Sequence, residues 1–175
     1  RDALPTDDSW GSGTIGDAAL GLKLYDGTLA MEGSAADHLK RRYRLPEPRF
    51  ELGDILRAYA NGSMDVSDGL LTDLGKLCKA SGLQAKLLAA NLPVSDGAKE
   101  AMKRLDTADG VPSGIHPALF GGDDYEVLFT ADPKENRHIL QKASSLPFPL
   151  TRIGSVNDVG PKGEVLLMDG FGKPG

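Results

Sequence analysis

One apolar stripe fixes most of what this chain can become. Leu70, Leu71, Leu74, Leu77 and Cys78 recur at helical spacing between Gly69 and Ala80. That spacing predicts an amphipathic helix with one face committed to a core. Short runs that read as strands stand on either side, Ser63 to Val66 before it and Gln84 to Leu88 after it, and Ser81-Gly82 ends the helix. A helix with one apolar face, delivered between two strands, has to cover a sheet.

The same alternation continues along the chain. Helices are predicted over 17–24, 35–44, 52–60, 96–105 and 133–143, the last with Asp132 as its cap. Strands are predicted over 125–130, 151–156 and 164–168. Residues 1–12 read as polar and irregular, Asn61-Gly62 as a turn, and 106–117 as a loop. The expected fold class is therefore α/β (an α+β sandwich), a mixed sheet flanked by helices. At 175 residues, one domain over 1–175 is enough to bury a substantial core.

Charge and cysteine content narrow the function. The net charge is −5 and no basic stripe is evident, so no nucleic acid is expected as partner. Lys40-Arg41-Arg42 with Arg44 reads as a solvated helix face. No apolar run approaches the ~18 residues that span a bilayer, so no membrane is expected. The single cysteine, Cys78, lies on the apolar stripe and reads as an inert buried thiol in a reducing, cytoplasmic setting. Arg1 stands where a methionine would begin a chain, which leads us to expect a piece of a longer protein.

Three segments carry candidate chemistry. In Asp65-Val66-Ser67-Asp68-Gly69-Leu70, two carboxylates flank a strand-to-helix turn. Such a pair can converge on Mg²⁺, which takes one or two carboxylates together with phosphate and water. Ser67 adds a hydroxyl for a phosphate. Taken alone, the pattern reads better as a helix cap by Asp68 with Asp65 in the turn. Gly121-Gly122-Asp123-Asp124 precedes the strand beginning at Tyr125, offering either a carboxylate to a substrate or a solvated turn. Tyr125, Val127 and Phe129 alternate as core residues would. Gly11-Ser12-Gly13-Thr14-Ile15-Gly16 fits G-x-G-x-x-G, but no apolar strand is predicted before it, so a dinucleotide site is not expected. His38, His116 and His138 lack metal-ligand spacing, and neither a Walker A loop nor a G-x-S-x-G elbow is present.

Together these segments resemble one family. Thr14-Ile15-Gly16-Asp17-Ala18-Ala19-Leu20-Gly21-Leu22, then Pro46-Glu47-Pro48-Arg49 with Gly53, then Asp65 to Leu70 with Asp73-Leu74, then Ser81-Gly82, then Gly121 to Phe129 follow the order seen in thiamine-monophosphate kinases. The resemblance runs from about Gly13 to Phe171. It implies the C-terminal domain of the aminoimidazole ribonucleotide synthetase-like (PurM-like) superfamily, with 1–12 as a linker from an N-terminal domain that this sequence does not contain. It implies transfer of the ATP γ-phosphoryl group to thiamine monophosphate, a homodimer in the full-length enzyme, and the chain's own N-terminal domain as partner. By position, Asp65 and Asp68 would bind Mg²⁺, Ser67 would contact ATP, and Asp123 and Phe171 would contact the substrate. Two departures stand out: the family usually has Glu where this chain has Asp123, and Gly172-Lys173-Pro174-Gly175 replaces the usual ending. Another ATP-dependent enzyme of the superfamily, or a non-catalytic binding module, stays open as an alternative.

Overall fold

In the computed structural model, which describes residues 2–109 and 116–168, six strands form one sheet in the order β2-β4-β1-β5-β3-β6. The strands are β1 (Asp8–Ser12), β2 (Ala60–Val66), β3 (Gln84–Leu88), β4 (Glu126–Ala131), β5 (Leu150–Asn157) and β6 (Val165–Met168). All neighbours run antiparallel except β3 and β6, which are parallel. The helices are α1 (Asp17–Tyr25), α2 (Ser34–Arg44), α3 (Gly53–Tyr59), α4 (Leu70–Ser81), α5 (Asp96–Asp109), α6 (His116–Phe120) and α7 (Asn136–Ala143). The mixed sheet with helices around it is the α/β fold expected.

The apolar stripe does what its spacing requires. Leu70, Leu74, Leu77 and Cys78 of α4 are buried against Val66, Ala85, Leu87, Leu128 and Ile153 of the sheet. Each buried leucine contributes roughly 1.5–3 kcal/mol. The helix also bridges a topological gap. Four strand intervals separate β2 from β3, which at ~4.8 Å each is about 19 Å. A helix of 12 residues is about 18 Å long, and α4 contacts both β2 and β3. It therefore carries the chain across the three strands that lie between β2 and β3.

The opposite face of the sheet is closed by α3 and α7. Trp10, Phe129 and Ala131 pack there with Leu52, Ile55, Ile139 and Phe148, and the Trp10 and Phe129 rings stack 6.2 Å apart. A third cluster joins α1, α2 and α5 through Leu20, Leu39, Ala98 and Ala101.

Five expectations need correction, one of them the solvated face of Lys40-Arg41-Arg42 with Arg44, since Arg42 is buried against Glu126. Residues 1–12 are not irregular throughout, because β1 lies inside the sheet with all five residues buried. Its ladder bonds and the partners of Asp8 and Ser12 let a polar run survive there, although Ser9 Oγ and Trp10 Nε1 have no partner among the described residues. Asp8 binds Arg152 Nη2 at 2.7 Å and Asn136 Nδ2 at 2.6 Å, and Ser12 Oγ donates to Glu126 at 2.6 Å. Asn61-Gly62 is not a turn but an irregularity inside β2, where the register against β4 shifts. The predicted loop over 106–117 is helical at both described ends, in α5 and α6. Tyr125 lies outside β4 and is exposed, whereas Glu126, Leu128 and Thr130 are buried along with Phe129. Both faces of this strand are covered, so simple alternation misleads.

Candidate functional site

Two loops meet at one end of the sheet. The first leaves β2 and enters α4 through Ser67, Asp68 and Gly69. Gly69 holds φ 110°, and a Cβ there would stand 2.9 Å from the backbone carbonyl of Phe120, so only glycine lets the loops approach this closely. The second loop runs from α6 to β4. Its Asp123 N–H donates to Ser67 O, and its Tyr125 N–H to Val66 O, both at 2.9 Å. These two bonds extend the β2–β4 ladder beyond the strands and place Asp123 beside Ser67.

Four of the five residues expected at the site are thus gathered. Asp65, Asp68 and Asp123 are exposed and Ser67 is half-buried. The Asp65 carboxylate and the Ser67 hydroxyl make no hydrogen bond to the described residues. Phe171 lies outside the described residues. Asp68 is not the helix cap. The position before α4 is Gly69, which has no side-chain cap. Instead Asp73, buried in the first turn, accepts the N–H groups of Ser67 and Asp68 at 2.9 and 2.8 Å through its Oδ2. Asp73 was legible in principle, since it falls on the same helical face as Leu70, Leu74 and Leu77, where a carboxylate needs partners.

Lys76 was not foreseen either. Its ammonium bonds Asp68, and it reaches Asp73 Oδ1 at 2.8 Å. Asp68 first, then Asp73, pushes the Lys76 pKa up to about 12, so the cation is held through the neutral range. Among the described residues no three His, Cys, Asp or Glu side chains gather into a ready metal cage.

Beneath this surface the loops are anchored by buried acids. Asp124 turns inward, opposite to Asp123, and accepts Gly16 N–H at 2.6 Å and Ala18 N–H at 3.1 Å at the start of α1. Burial pushes its carboxyl up to about 7, against the pull of those two N–H groups; neighbouring Asp17 adds to the rise and Arg42 opposes it. Asp17 is engaged by Thr14 Oγ1, Ser95 Oγ and His38 Nε2 at 2.5, 2.5 and 3.3 Å. Glu126 takes Arg42 Nη2 at 2.6 Å and both Nε and Nη2 of Arg49 at 2.7 and 2.5 Å. Arg49 in turn lies 4.6 Å from the Phe148 ring centroid. The histidines are accounted for by Asp17, by Phe120 (His116, ring centroids 4.6 Å apart) and by Glu135 (His138). Burial raises the Cys78 thiol to about 11, which fits the inert role expected. The end of the sheet therefore offers carboxylates and a hydroxyl to solvent above a layer of paired buried acids.

No family model matches the chain. It is 39% identical over 154 residues to a thiamine-monophosphate kinase of Caulobacter vibrioides, a match covering 88% of this chain and 42% of that protein. The crystal structure of thiamine-monophosphate kinase from Stenotrophomonas maltophilia K279a superposes with a TM-score of 0.81 at 39% identity, covering 99% of this chain and 52% of that one. A structure of AaThiL complexed with AMPPCP and TMP superposes with a TM-score of 0.75 at 31% identity, covering 99% of this chain and 50% of that one. The chain spans a little under half the length of the curated relatives it matches. Over the length that is matched, the chain is similar to thiamine-monophosphate kinases in both sequence and fold.

Proposed function

We propose that this chain is the C-terminal half of a kinase that transfers the γ-phosphoryl group of ATP to thiamine monophosphate, giving thiamine diphosphate. The observation that carries the reading is the bond from the Asp123 loop to Ser67, beside the exposed Asp65 and Asp68 of the same segment, in a chain similar to thiamine-monophosphate kinases. A relative solved with AMPPCP, an ATP analogue, and TMP supports it.

In such a transfer a terminal phosphate oxygen of the acceptor forms a bond to the γ-phosphorus. The bond to the β–γ bridging oxygen breaks, and ADP leaves. The demand is for positioning and charge neutralisation rather than a protein nucleophile. The chain offers the residue types this needs. Asp65 and Asp68 present hard oxygen donors to solvent, and an ammonium is already drawn to Asp68, so the donor set fits Mg²⁺. These two aspartates would hold the ion. When bound, it neutralises charge on the phosphate oxygens. The Ser67 hydroxyl donates to the nucleotide. Asp123 meets the acceptor, at shorter reach than the family's usual Glu, and Phe171 supplies a ring to the thiamine moiety. The remaining groups come from the enzyme's own N-terminal domain, in a homodimer. Among the described residues no helix is long and apolar enough to cross a membrane. The buried free thiol of Cys78 favours the cytoplasm.

The test is an assay of the intact protein with ATP and thiamine monophosphate, reading thiamine diphosphate and ADP chromatographically. One-to-one formation of the two supports the reading. ATP consumption that yields ADP with a different phosphorylated acceptor, and no thiamine diphosphate, would refute it.

Lys76 adds a prediction that does not depend on turnover. Its ammonium competes for Asp68 with any cation that binds there. Lys76→Met should tighten Mn²⁺ binding to the intact protein severalfold, read by the loss of free-ion signal in electron paramagnetic resonance. Weaker binding in the variant would mean that Lys76 assists the ion rather than competing with it.

A further inference from the structure

We infer that Asp124 is the positioning residue that aims Asp123 and Tyr125 at the substrate side of the site; this rests on the kinase reading above. The loop between α6 and β4 holds two non-glycine residues in left-handed conformations, Asp123 at φ 67° and Tyr125 at φ 51°. Side-chain-bearing residues adopt such angles only where the surroundings over-determine them.

Asp124 sits between the two and is buried, while both its neighbours are exposed. Its carboxylate clamps the first turn of α1 through Gly16 and Ala18, and Arg42 Nη2 donates to its carbonyl at 3.0 Å. On the other side, Ser67 and Val66 carbonyls take the amides of Asp123 and Tyr125. The loop is therefore pinned from below by the side chains of Asp124 and Arg42 and from the edge by two backbone bonds. The out–in–out order of the three side chains follows from the inward pin. The charged groups around it are already committed. Asp17 is held by Thr14, Ser95 and His38, and Glu126 by Arg42, Arg49 and Ser12, so among the described residues Asp124 alone joins this loop to α1 by side-chain hydrogen bonds.

The test uses the intact protein carrying Asp124→Asn. The variant keeps the volume but offers one acceptor oxygen to two N–H groups, and its own amide opposes the second. The acceptor KM should rise about tenfold, with kcat and the ATP KM near wild type, as expected when only acceptor placement is lost. In a cycle with Asp123→Asn, the double variant should be no worse than Asp123→Asn alone, because Asp124 acts through Asp123. Independent, multiplicative losses, or equal losses on ATP and acceptor, overturn the inference. Should the variant not fold, hydrogen exchange on the wild type decides. The amides of Asp123 and Tyr125 should open together with those of Gly16 and Ala18; separate openings overturn the inference. A wild type that makes no thiamine diphosphate refutes the kinase reading, and the exchange result then judges Asp124 by itself.

Discussion

Asp68→Asn in the full-length enzyme should lower kcat/KM for phosphoryl transfer by on the order of a hundredfold, the scale on which removing one preorganised electrostatic contact acts. The substitution keeps the shape and removes the charge. The fold should hardly notice. Asp68 is 63% exposed in its pair with Lys76, and exposed pairs of this kind contribute little to stability. The N–H groups of Ser67 and Asp68 go to Asp73, not to Asp68, so the loop keeps its form. Steady-state kinetics beside a thermal melt separates the two effects. Full activity in the variant removes Asp68 from the mechanism.

Glu126→Gln should act in the opposite way, costing stability first. Glu126 is 1% exposed and faces two guanidinium groups, with Arg42 4% and Arg49 9% exposed. Removing one partner of a buried charge network leaves the others uncompensated, at a cost of about 3–5 kcal/mol. A glutamine also turns an NH₂ group toward a donor. Ser12 then loses its acceptor or competes for the one oxygen left. A Cβ on Gly13 would stand 2.1 Å from the same carboxylate, so the backbone there leaves no space for a different arrangement. Denaturant unfolding should show a lower midpoint with an unchanged slope. An unshifted midpoint would mean that the network relaxes into water.

The elements that declared themselves in the sequence are those whose burial is one-sided. The stripe of α4 is read directly from its leucines, and β3 ends where its run of residues ends. β1 hid because its burial is two-sided and its residues are polar. Nothing in Asp8-Ser9-Trp10-Gly11-Ser12 shows that Arg152, Asn136 and Glu126 are waiting as partners some 115 to 145 residues further on. The site divides in the same way. Asp65, Ser67, Asp68 and Asp123 were legible because they belong to a recognisable ordered set of motifs. Asp124 and Lys76 were not, because their roles depend on which loop lies across from them. Asp73 is intermediate, since its place on the apolar face marked it as an acid with a structural task.

The strand order carries a consequence for how the chain reaches this state. None of the five pairings joins strands that are consecutive in sequence. Among the described residues the sheet therefore contains no hairpin that could form early and template the rest. β1 has to hold an unpaired polar strand open until residues 126–131 and 150–157 exist. Each pairing closes a long loop before any contact repays the entropy, which puts the domain among slow, non-local folders. Synthesis from the N-terminus thus leaves most of the chain emerged before its central strand finds a neighbour, and α4, whose contacts are local, is the element best placed to form while the chain waits.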